Sequence, residues 1–432
     1  MMRGFTQKLT AVLVLMTLCV ALCASALAVD STDPLEVVIW DNNQQAGLQT
    51  ICDQFTEQTG IPVQVVVKSW DAYWTLLEAG AMGGDMPDVF WMHSNNAQMY
   101  MAYDMLLDLT DYIAASEVVK VENYMPEIWE LYTYDAHYYA VPKDYDTIAL
   151  WYNKTMFDEA GLAYPDATWT YEDLLEAAKA LTKANGSQYG FALNPSNDQD
   201  TYYNFVYAMG GSIVTEDRKS GYDDPNTIRA MQYVGELLAC CPPNTVMSET
   251  GTDVLAKSGQ VAMITQGSWM VADFMQNEYM AENFDVAILP YDSVTGNRAS
   301  ICNGLGWAAS AFTDRPNDCW ALIEWFGSQE MQTLQAELGV TMSAYNGTSG
   351  QWVNCADGLF DLTPYLQIAT EEKTGDGNNM LVLRPYTFNS TQWQTAAQQA
   401  FVAAWADPSK MEEVCLSFAA TMNDLIAQEI VP

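Results

Sequence analysis

The sequence predicts an α/β protein built from more than one lobe, and three observations support that fold class. The chain has 432 residues, a length that corresponds to two or three domains of about 100–200 residues each. Half of the residues are hydrophobic and 12% are aromatic, which is enough apolar material for packed cores. Between residues 35 and 91, short apolar segments alternate with segments of helical period, as in parallel α/β proteins.

The first elements follow one another through short turns. Contiguous apolar residues predict strands at Leu35–Trp40, Pro62–Val67 and Asp88–Trp91. Apolar residues at helical spacing predict helices at Gln45–Gln58 and Asp71–Met82, between these strands. The order strand, helix, strand, helix, strand predicts a sheet that begins with parallel strands.

The middle and end of the chain predict a second α/β unit. Thr170 and Asp173 form a capping-box pattern, so a helix is expected to begin there. Buried strands are predicted at Val261–Ile264 and Asp285–Leu289. The other predicted helices are Asn226–Ala239, Pro316–Leu338, Thr391–Trp405 and Pro408–Gln428.

The charge of the chain excludes several classes of partner. Lys and Arg total 17 and Asp and Glu total 55, which gives a net charge of −38. Phosphate backbones and anionic lipid headgroups would be repelled, so nucleic acid and membrane surfaces are poor partners. Nucleotides and other polyanions are disfavoured less firmly, because a local pocket can oppose the global charge.

The N-terminus has the layout of a secretory signal. Arg3 and Lys8 precede an apolar run that ends in Ala26-Leu27-Ala28, an A-x-A pattern, so cleavage is predicted after Ala28. Two alternatives are a lipid on Cys19 or Cys23, disfavoured by the leucines before them, and a retained membrane anchor. The predicted location is the periplasm or the outer face of the cell membrane.

Cleavage would leave seven cysteines and a net charge of −40. No C-x-x-C motif occurs, which argues against zinc or thioredoxin-type chemistry. The seven are interpreted as small core residues, with a single disulfide left open.

The motifs of several enzyme and cofactor classes are absent. The turn after the first strand has neither G-x-G-x-x-G nor a P-loop, and no G-x-S-x-G or H-E-x-x-H motif occurs. Only two histidines are present, His93 and His137, so a multi-histidine metal site is excluded. We therefore expect no catalytic residue, no metal and no cofactor. His137 is interpreted as a surface residue, whereas His93 follows a predicted parallel strand, where open α/β sheets bind ligands.

Aromatic rings and polar side chains collect where predicted strands end. The clusters are 40–43, 91–96, 144–146, 267–269 and 303–307. The C–H face of a sugar stacks on an aromatic ring, and its hydroxyls need several directional partners. These clusters therefore predict a site for a polyhydroxylated ligand.

Several segments resemble, in order, the extracellular solute-binding proteins (family 1) of carbohydrate ABC importers. The resemblance runs from about Leu35 to the C-terminus. The segments that carry it are Glu36–Trp40, Gly84–Trp91, Leu106–Thr110, Ala140–Pro142 with Leu150–Lys154, Thr168–Asp173, Met209–Gly211, and Gly259–Met263 with Gly267–Trp269.

The resemblance implies the two-lobe periplasmic-binding-protein fold (type II), an α/β architecture with three crossings between lobes and a ligand cleft between them. The crossings are expected near Val141–Asp144, Leu289–Thr295 and Met342–Gly347. The implied N-terminal lobe comprises 29–141 and 296–341. The implied C-terminal lobe comprises 142–295 and 342–432, with 1–28 as signal peptide.

The resemblance also implies roles for residues in the cleft. Asp146 matches an acidic position that contacts sugar hydroxyls, and Trp269 and Trp393 match positions that stack on sugar rings. Tyr203 lies just before the Gly-Gly turn, where another ring often occurs, and Arg384 lies in the last ligand-side loop. The loop residues implied on the first lobe's side are Asn42, His93, Ser94, Asn95, Asn303 and Gly304.

The implied function is the substrate-binding component of an ABC importer, which captures a sugar by lobe closure and delivers it to membrane permease subunits. A monomer without enzymatic activity is expected. Two alternatives stay open: a secreted glycan-active enzyme, which needs two carboxylates across the scissile bond, and a binding protein for an amine or glycerol phosphate.

Overall fold

The computed structural model describes residues 33–194, 199–243, 250–370 and 373–429. The predicted signal segment lies outside these residues. The strands are β1 (Leu35–Ile39), β2 (Val63–Val67), β3 (Val89–Met92), β4 (Thr133–Tyr134), β5 (His137–Tyr138), β6 (Ala140–Pro142), β7 (Ile148–Asn153), β8 (Met263–Gly267), β9 (Phe284–Ala287), β10 (Asn297–Cys302), β11 (Gly306–Ala309) and β12 (Asn378–Leu383).

The helices surround these strands. They are α1 (Gln45–Thr59), α2 (Trp70–Gly83), α3 (Ser94–Ala102), α4 (Thr110–Ala115), α5 (Pro126–Leu131), α6 (Lys154–Ala160), α7 (Tyr171–Leu181), α8 (Tyr202–Ala208), α9 (Pro225–Leu237), α10 (Thr252–Lys257), α11 (Val271–Met275), α12 (Glu278–Asn283), α13 (Pro316–Gly327), α14 (Gln329–Glu337), α15 (Thr363–Gln367), α16 (Ser390–Ala406) and α17 (Met411–Ala427). Short 3₁₀ turns lie at Val121–Asn123, Leu238–Cys240, Ser268–Met270, Ser349–Asn354 and Pro408–Lys410.

The first lobe is built on a five-stranded sheet in the order β2-β1-β3-β11-β6. β1 pairs in parallel with β2 and β3, which confirms the parallel start predicted from the alternating pattern. β11 is antiparallel to β3, so the beginning of β11 lies beside the end of β3. Residues that follow β1 and β3 therefore share one sheet edge with residues that precede β11.

The second lobe contains a three-stranded sheet, β8-β7-β9, and a parallel pair, β10-β12. The capping box predicted at Thr170 is present, because its hydroxyl accepts the Asp173 N–H and the Asp173 carboxylate accepts the Thr170 N–H. α9, α16 and α17 pack together in this lobe. The sequence patterns at this end of the chain therefore fold as expected.

The chain passes between the lobes three times. The first passage joins β6 to β7, and the third lies between α14 and α15, where Asp144 and Ser343 form a bridge. The second passage joins β10 to β11. The lobe boundaries drawn from the sequence stay predictions, and the pairing of β10 with β12 favours a second crossing at Asn303–Leu305 in place of Leu289–Thr295.

One predicted helix is wrong in length. Pro316–Leu338 is two helices, α13 and α14, which are separated at Ser328. Ser328 has extended backbone angles and its side chain accepts the Met331 N–H, so it ends one helix and caps the next. Hydrophobic periodicity continues across the break, which is why the sequence pattern did not reveal it.

The seven cysteines of the described chain are unpaired thiols, and all except Cys355 are buried. Burial raises the pKa of Cys319 and Cys415 to about 12, so their thiolates are suppressed. These cysteines act as small core residues.

Candidate functional site

A cavity of about 1130 Å³ lies between the two lobes. Its floor contains residues that follow β1, β3 and β12 and residues that precede β11. The lining residues are Trp40, Asp41, Asn43, Gln44, Trp70, Asp71, Trp74, Thr75, Glu78, His93, Asn95, Asn96, Met99, Asp144, Asp146, Asn194, Gln199, Trp269, Met270, Asn303, Leu305, Thr341, Arg384, Asn389, Thr391, Gln394, Thr395 and Gln398. The volume and the mixture of rings and polar groups suit a small organic ligand.

Three tryptophans form the aromatic wall of the first lobe. Trp40 follows β1, and Trp70 and Trp74 lie one turn apart at the start of α2. The centroids of Trp40 and Trp70 are 5.1 Å apart with planes at 87°, and those of Trp70 and Trp74 are 5.5 Å apart at 77°. Trp70 is 44% exposed. Edge-to-face packing holds the group rigid while it leaves part of Trp70 open to the cavity.

His93 and Asn303 join the first lobe to the second crossing. His93 Nδ1 accepts the Asn95 N–H at 3.2 Å, and its Nε2 lies 3.0 Å from the Asn303 amide nitrogen. Ser94 Oγ lies 2.7 Å from the Asn303 amide oxygen. Because Nδ1 accepts a hydrogen bond, a neutral His93 ring carries its proton on Nε2 and donates from there. The Asn303 amide satisfies that donor when its oxygen faces His93 and its nitrogen faces Ser94. Burial, followed by the charge of Arg384, lowers the pKa of His93 to about 3.

The carboxylate of Asp146 forms hydrogen bonds with Asn303 in the second crossing and with Gln199 in the second lobe. Its Oδ1 accepts the Gln199 amide at 2.7 Å and the Asn303 N–H at 3.3 Å. Gln199 in turn accepts a hydrogen bond from Arg384 Nη1 at 2.7 Å. Burial and the nearby Asp144 charge raise the pKa of Asp146 well above its ordinary value, although these hydrogen bonds and Arg384 oppose the shift. The group is thus placed to exchange hydrogen bonds with a polar ligand.

A buried ion pair lies beside this network. Lys143 Nζ is 2.5 Å from Asp144 Oδ2, 3.0 Å from Gln44 Oε1 and 4.5 Å from the centre of the Trp91 ring. Asp144 Oδ1 accepts the Leu305 N–H at 2.7 Å. Burial lowers the pKa of Lys143 against the opposing effect of Asp144. The pair connects the first and second crossings to the turn after β1.

The second lobe supplies a ring and a polar helix face. Trp269 packs directly over Gly267, where an added Cβ would meet the indole at 2.0–2.2 Å. The beginning of α16 and the residue before it present polar side chains, namely Asn389, Thr391, Gln394, Thr395 and Gln398. A ligand would thus meet tryptophans and hydrogen-bonding groups from both lobes.

Several buried polar atoms on the cavity wall have no hydrogen-bond partner among the described residues. They include Trp74 Nε1, Asn95 Oδ1 and Gln394 Nε2. An unpaired buried donor or acceptor costs about 1–3 kcal/mol. Two donors and one acceptor are therefore available to a hydroxyl-rich ligand.

The cavity brings together six of the eleven residues predicted from the sequence. They are His93, Asn95, Asp146, Trp269, Asn303 and Arg384. Ser94 lies just behind, where it holds Asn303. Gly304 packs against the first crossing, because an added Cβ would lie 2.2 Å from the Asp144 carbonyl oxygen.

Three further predicted residues lie away from the cavity lining. Asn42 is exposed in the turn after β1, and Tyr203 is fully buried in α8. Trp393 is also fully buried, and its Nε1 donates to Thr387 Oγ1 at 2.8 Å. The expectation that Trp393 stacks on a sugar has no support in this geometry, because the ring lies on the core side of α16.

The sequence reasoning missed Trp70 and Trp74 as cavity residues. Their spacing of four at the start of a helix, together with Glu78 one turn later, was the available signal. Trp74 also shares an apolar helix face with Leu77, a pattern typical of core packing, and its exposure of 9% shows that one ring can both pack in the core and line the cavity.

Within the described part of the chain, no helix has the length and hydropathy needed to cross a bilayer. Residues 40–333 match the family model of the bacterial extracellular solute-binding proteins. A putative binding protein of Brucella abortus (strain 2308) is 29% identical over 237 residues, which are 52% of this chain. The aligned region spans 55% of that relative's length.

Other relatives match over longer regions. The maltodextrin-binding protein MdxE of Bacillus subtilis (strain 168) is 22% identical over 308 residues, 68% of this chain and 70% of the relative. The substrate-binding protein Lmo0181 of Listeria monocytogenes, solved with cycloalternan, superposes with a TM-score of 0.80 at 20% identity, over 92% of this chain and 100% of that one. The GacH receptor of Streptomyces glaucescens gives 0.76 at 19% identity, over 92% and 99%. These likenesses confirm the predicted two-lobe α/β fold.

Proposed function

The chain belongs to the bacterial extracellular solute-binding proteins, and from that premise we propose that it is the substrate-binding component of an ABC importer. In this proposal the two lobes close on a sugar or oligosaccharide, and the loaded protein delivers it to the membrane permease subunits. A monomer suffices, because a single chain provides both walls of the cavity.

The observation that carries the proposal is the composition of the cleft. Trp70 exposes part of its ring beside Trp40 on one wall, and Trp269 lies on the other. Between them are hydrogen-bonding groups of both polarities, including Asp146 and Gln394. Rings for the C–H faces and directional partners for the hydroxyls are what a carbohydrate requires.

The relatives support a carbohydrate as the ligand class. MdxE is named for maltodextrin, and a relative in Halalkalibacterium halodurans is named an arabinooligosaccharide-binding protein. The GacH structure was determined with acarbose, and another neighbour contains D-mannitol. Neutral sugars and polyols are therefore the first ligands to test.

The proposal includes no chemical turnover. Two of the carboxylates that line the cavity are engaged in structural contacts, Asp144 with Lys143 and the Leu305 N–H, and Asp146 with Gln199 and Asn303. Incubation of the purified protein with oligosaccharides should leave them intact by chromatography. Hydrolysis that Asp146→Ala abolishes would replace the binding function with a glycosidase.

The proposed location is outside the cytoplasmic membrane, after cleavage of the signal peptide behind Ala28. Mass spectrometry of the protein from its host should find a mature N-terminus at Val29. A retained Met1, or a diacylglycerol on Cys19 or Cys23, would contradict release as a free protein.

Isothermal titration calorimetry on the mature protein tests ligand binding. The panel is maltotriose, arabinotriose, galactotriose and D-mannitol, with glycerol 3-phosphate and spermidine as charged alternatives. We expect saturable binding of at least one neutral sugar or polyol, and small-angle scattering should show a smaller radius of gyration when that compound saturates the protein. Binding of only a charged compound would overturn the carbohydrate assignment.

A further inference from the structure

The segment Thr387–Thr391 of the second lobe reaches across the cleft to the first lobe. Thr391 Oγ1 donates to Asn96 Oδ1 at 3.1 Å, and the Phe388 ring lies 6.3 Å from that of Tyr103, centre to centre. Asn96 is in α3, and Tyr103 directly follows it. The segment therefore makes two contacts that bridge one side of the cleft.

The same segment leads into α16, which begins at Ser390. Asn389, Thr391 and Gln394 line the cavity, as do Thr395 and Gln398 further along the helix. A shift of this segment would move all these side chains together. The bridging contacts and one polar wall of the cavity thus depend on a single stretch of backbone.

The carboxylate of Glu429 holds that stretch in place. Its Oε1 accepts the Asn389 N–H at 3.0 Å and the Thr387 hydroxyl, and its Oε2 accepts the Phe388 N–H at 3.1 Å. We call these contacts of Glu429 with residues 387–389 the clamp. Thr387 Oγ1 also accepts the Trp393 Nε1–H at 2.8 Å, which connects the clamp to the core side of α16. Glu429 lies beyond α17 and does not line the cavity.

Hydrogen bonds to a charged carboxylate are stronger than those between neutral groups, and a negative charge is favourable at a helix N-terminus. Asn389 is the residue before α16, and its own side chain accepts no hydrogen bond from the backbone N–H groups of the first turn of the helix. Glu429 therefore supplies from a distant part of the chain the capping that the local sequence lacks.

We propose that Glu429 is a positioning residue for ligand binding, which acts through the segment Thr387–Thr391 and α16 to set the geometry of the cleft wall. This inference rests on the proposed function, because it concerns affinity in the same cleft. It assigns to a residue near the C-terminus an effect on a ligand that it does not touch.

The test compares Glu429→Ala, Glu429→Gln and the exposed α17 variant Glu413→Ala as a matched control. With the panel compound that wild type binds most tightly among maltotriose, arabinotriose, galactotriose and D-mannitol, Glu429→Ala should weaken binding about tenfold or more by calorimetry. Glu429→Gln keeps one acceptor oxygen and should recover part of the loss, and Glu413→Ala should bind like wild type. If Glu429→Ala does not fold, Glu429→Gln still tests the clamp.

The second readout needs no ligand. Small-angle scattering of unliganded Glu429→Ala should show a larger radius of gyration than wild type, because the bridging contacts are released. Wild-type affinity together with a wild-type radius in the folded variants would overturn the inference while the proposed function stands. If wild type binds none of the four compounds, the proposed function fails, and the radius alone decides whether Glu429 sets the cleft geometry.

Discussion

His93 Nε2 lies 3.0 Å from the amide of Asn303, although 210 residues separate them in the chain. The contact connects the end of β3 in the first lobe to the crossing that enters β11. Both ring nitrogens are engaged inside a buried environment, since Nδ1 accepts the Asn95 N–H. A protonated ring would lose that acceptor, so the contact depends on a neutral histidine.

His93 should make the protein less stable in acid. Burial, followed by the charge of Arg384, lowers the pKa of His93 to about 3 in the folded protein, whereas an unfolded histidine has a pKa of about 6.5. The contribution is therefore fully present above about pH 6.5 and is lost as pH falls towards 3, by about 1.4 kcal/mol per pH unit. Urea unfolding from pH 7 to pH 4 should show a shallower decline for His93→Gln. His137→Gln, which removes the exposed histidine, is the control, and equal slopes in wild type and His93→Gln would refute the assignment.

Trp70 should contribute to affinity and Trp393 to stability. Trp70→Ala removes an exposed cavity ring and should weaken binding of the cognate sugar about tenfold, with little change in melting temperature. Trp393→Ala empties a fully buried site and should cost about 3–5 kcal/mol of unfolding free energy. Calorimetry and denaturant unfolding measure the two effects. Trp320→Ala, which removes a ring on α13 that stacks on Tyr112 away from the cavity, is the control for loss of an indole.

The pair Asp292–Arg229 should stabilise the second lobe. Arg229 binds the carboxylate through two bonds, of 2.8 and 3.0 Å. Burial raises the pKa of Asp292, but the hydrogen bonds from Arg229 and Thr295 outweigh it and leave the pKa below its ordinary value. The stability from this pair is present above about pH 4 and is lost as pH falls through the lowered pKa.

Arg229→Met should therefore cost about 2 kcal/mol at pH 7, less than a fully buried pair because Arg229 is about one-third exposed. The cost should shrink when unfolding is measured near pH 3. A double-mutant cycle with Asp292→Asn isolates the pair, and additive effects of the two single variants would show that no coupling exists.

Gln49 should protect the edge of the first-lobe sheet. Its amide accepts the Val65 N–H at 3.0 Å and donates to the Val63 carbonyl at 3.3 Å, on the side of β2 that faces away from β1. Gln49→Ala would expose these edge groups, which can then pair with another chain. Sedimentation at increasing concentration should reveal self-association of Gln49→Ala but not of Gln58→Ala, an exposed glutamine on the same helix. A monomeric Gln49→Ala protein at all concentrations would contradict this role.

Most element positions were predictable because their causes are local. The strand at 35–39, the helix at 45–59 and the capping box at Thr170 depend on residues within a few positions of one another. The break at Ser328 was not predictable, because the apolar period continues through it and only the surrounding packing decides where the helix turns. Local sequence patterns indicate helical periodicity and caps, but they do not indicate where a helix with continuous periodicity is interrupted and changes direction.

The amino-acid pattern, together with the family resemblance it carries, was enough to predict the fold class and part of the floor of the candidate site. His93 was identifiable because it follows a predicted parallel strand, and ligands bind at that edge of an open α/β sheet. Asp146 and Asn303 were identifiable through the resemblance to the solute-binding family. By contrast, the orientation of Trp70 towards the cleft and of Trp393 towards the core depends on packing. A helix can carry rings on several sides, and the neighbouring elements set which of them are buried. The connections from Asp146 through Gln199 to Arg384, and from Glu429 to the start of α16, likewise join residues 40 to 185 positions apart. Such contacts have no signal in local spacing, because they form only when the packed lobes bring distant segments together.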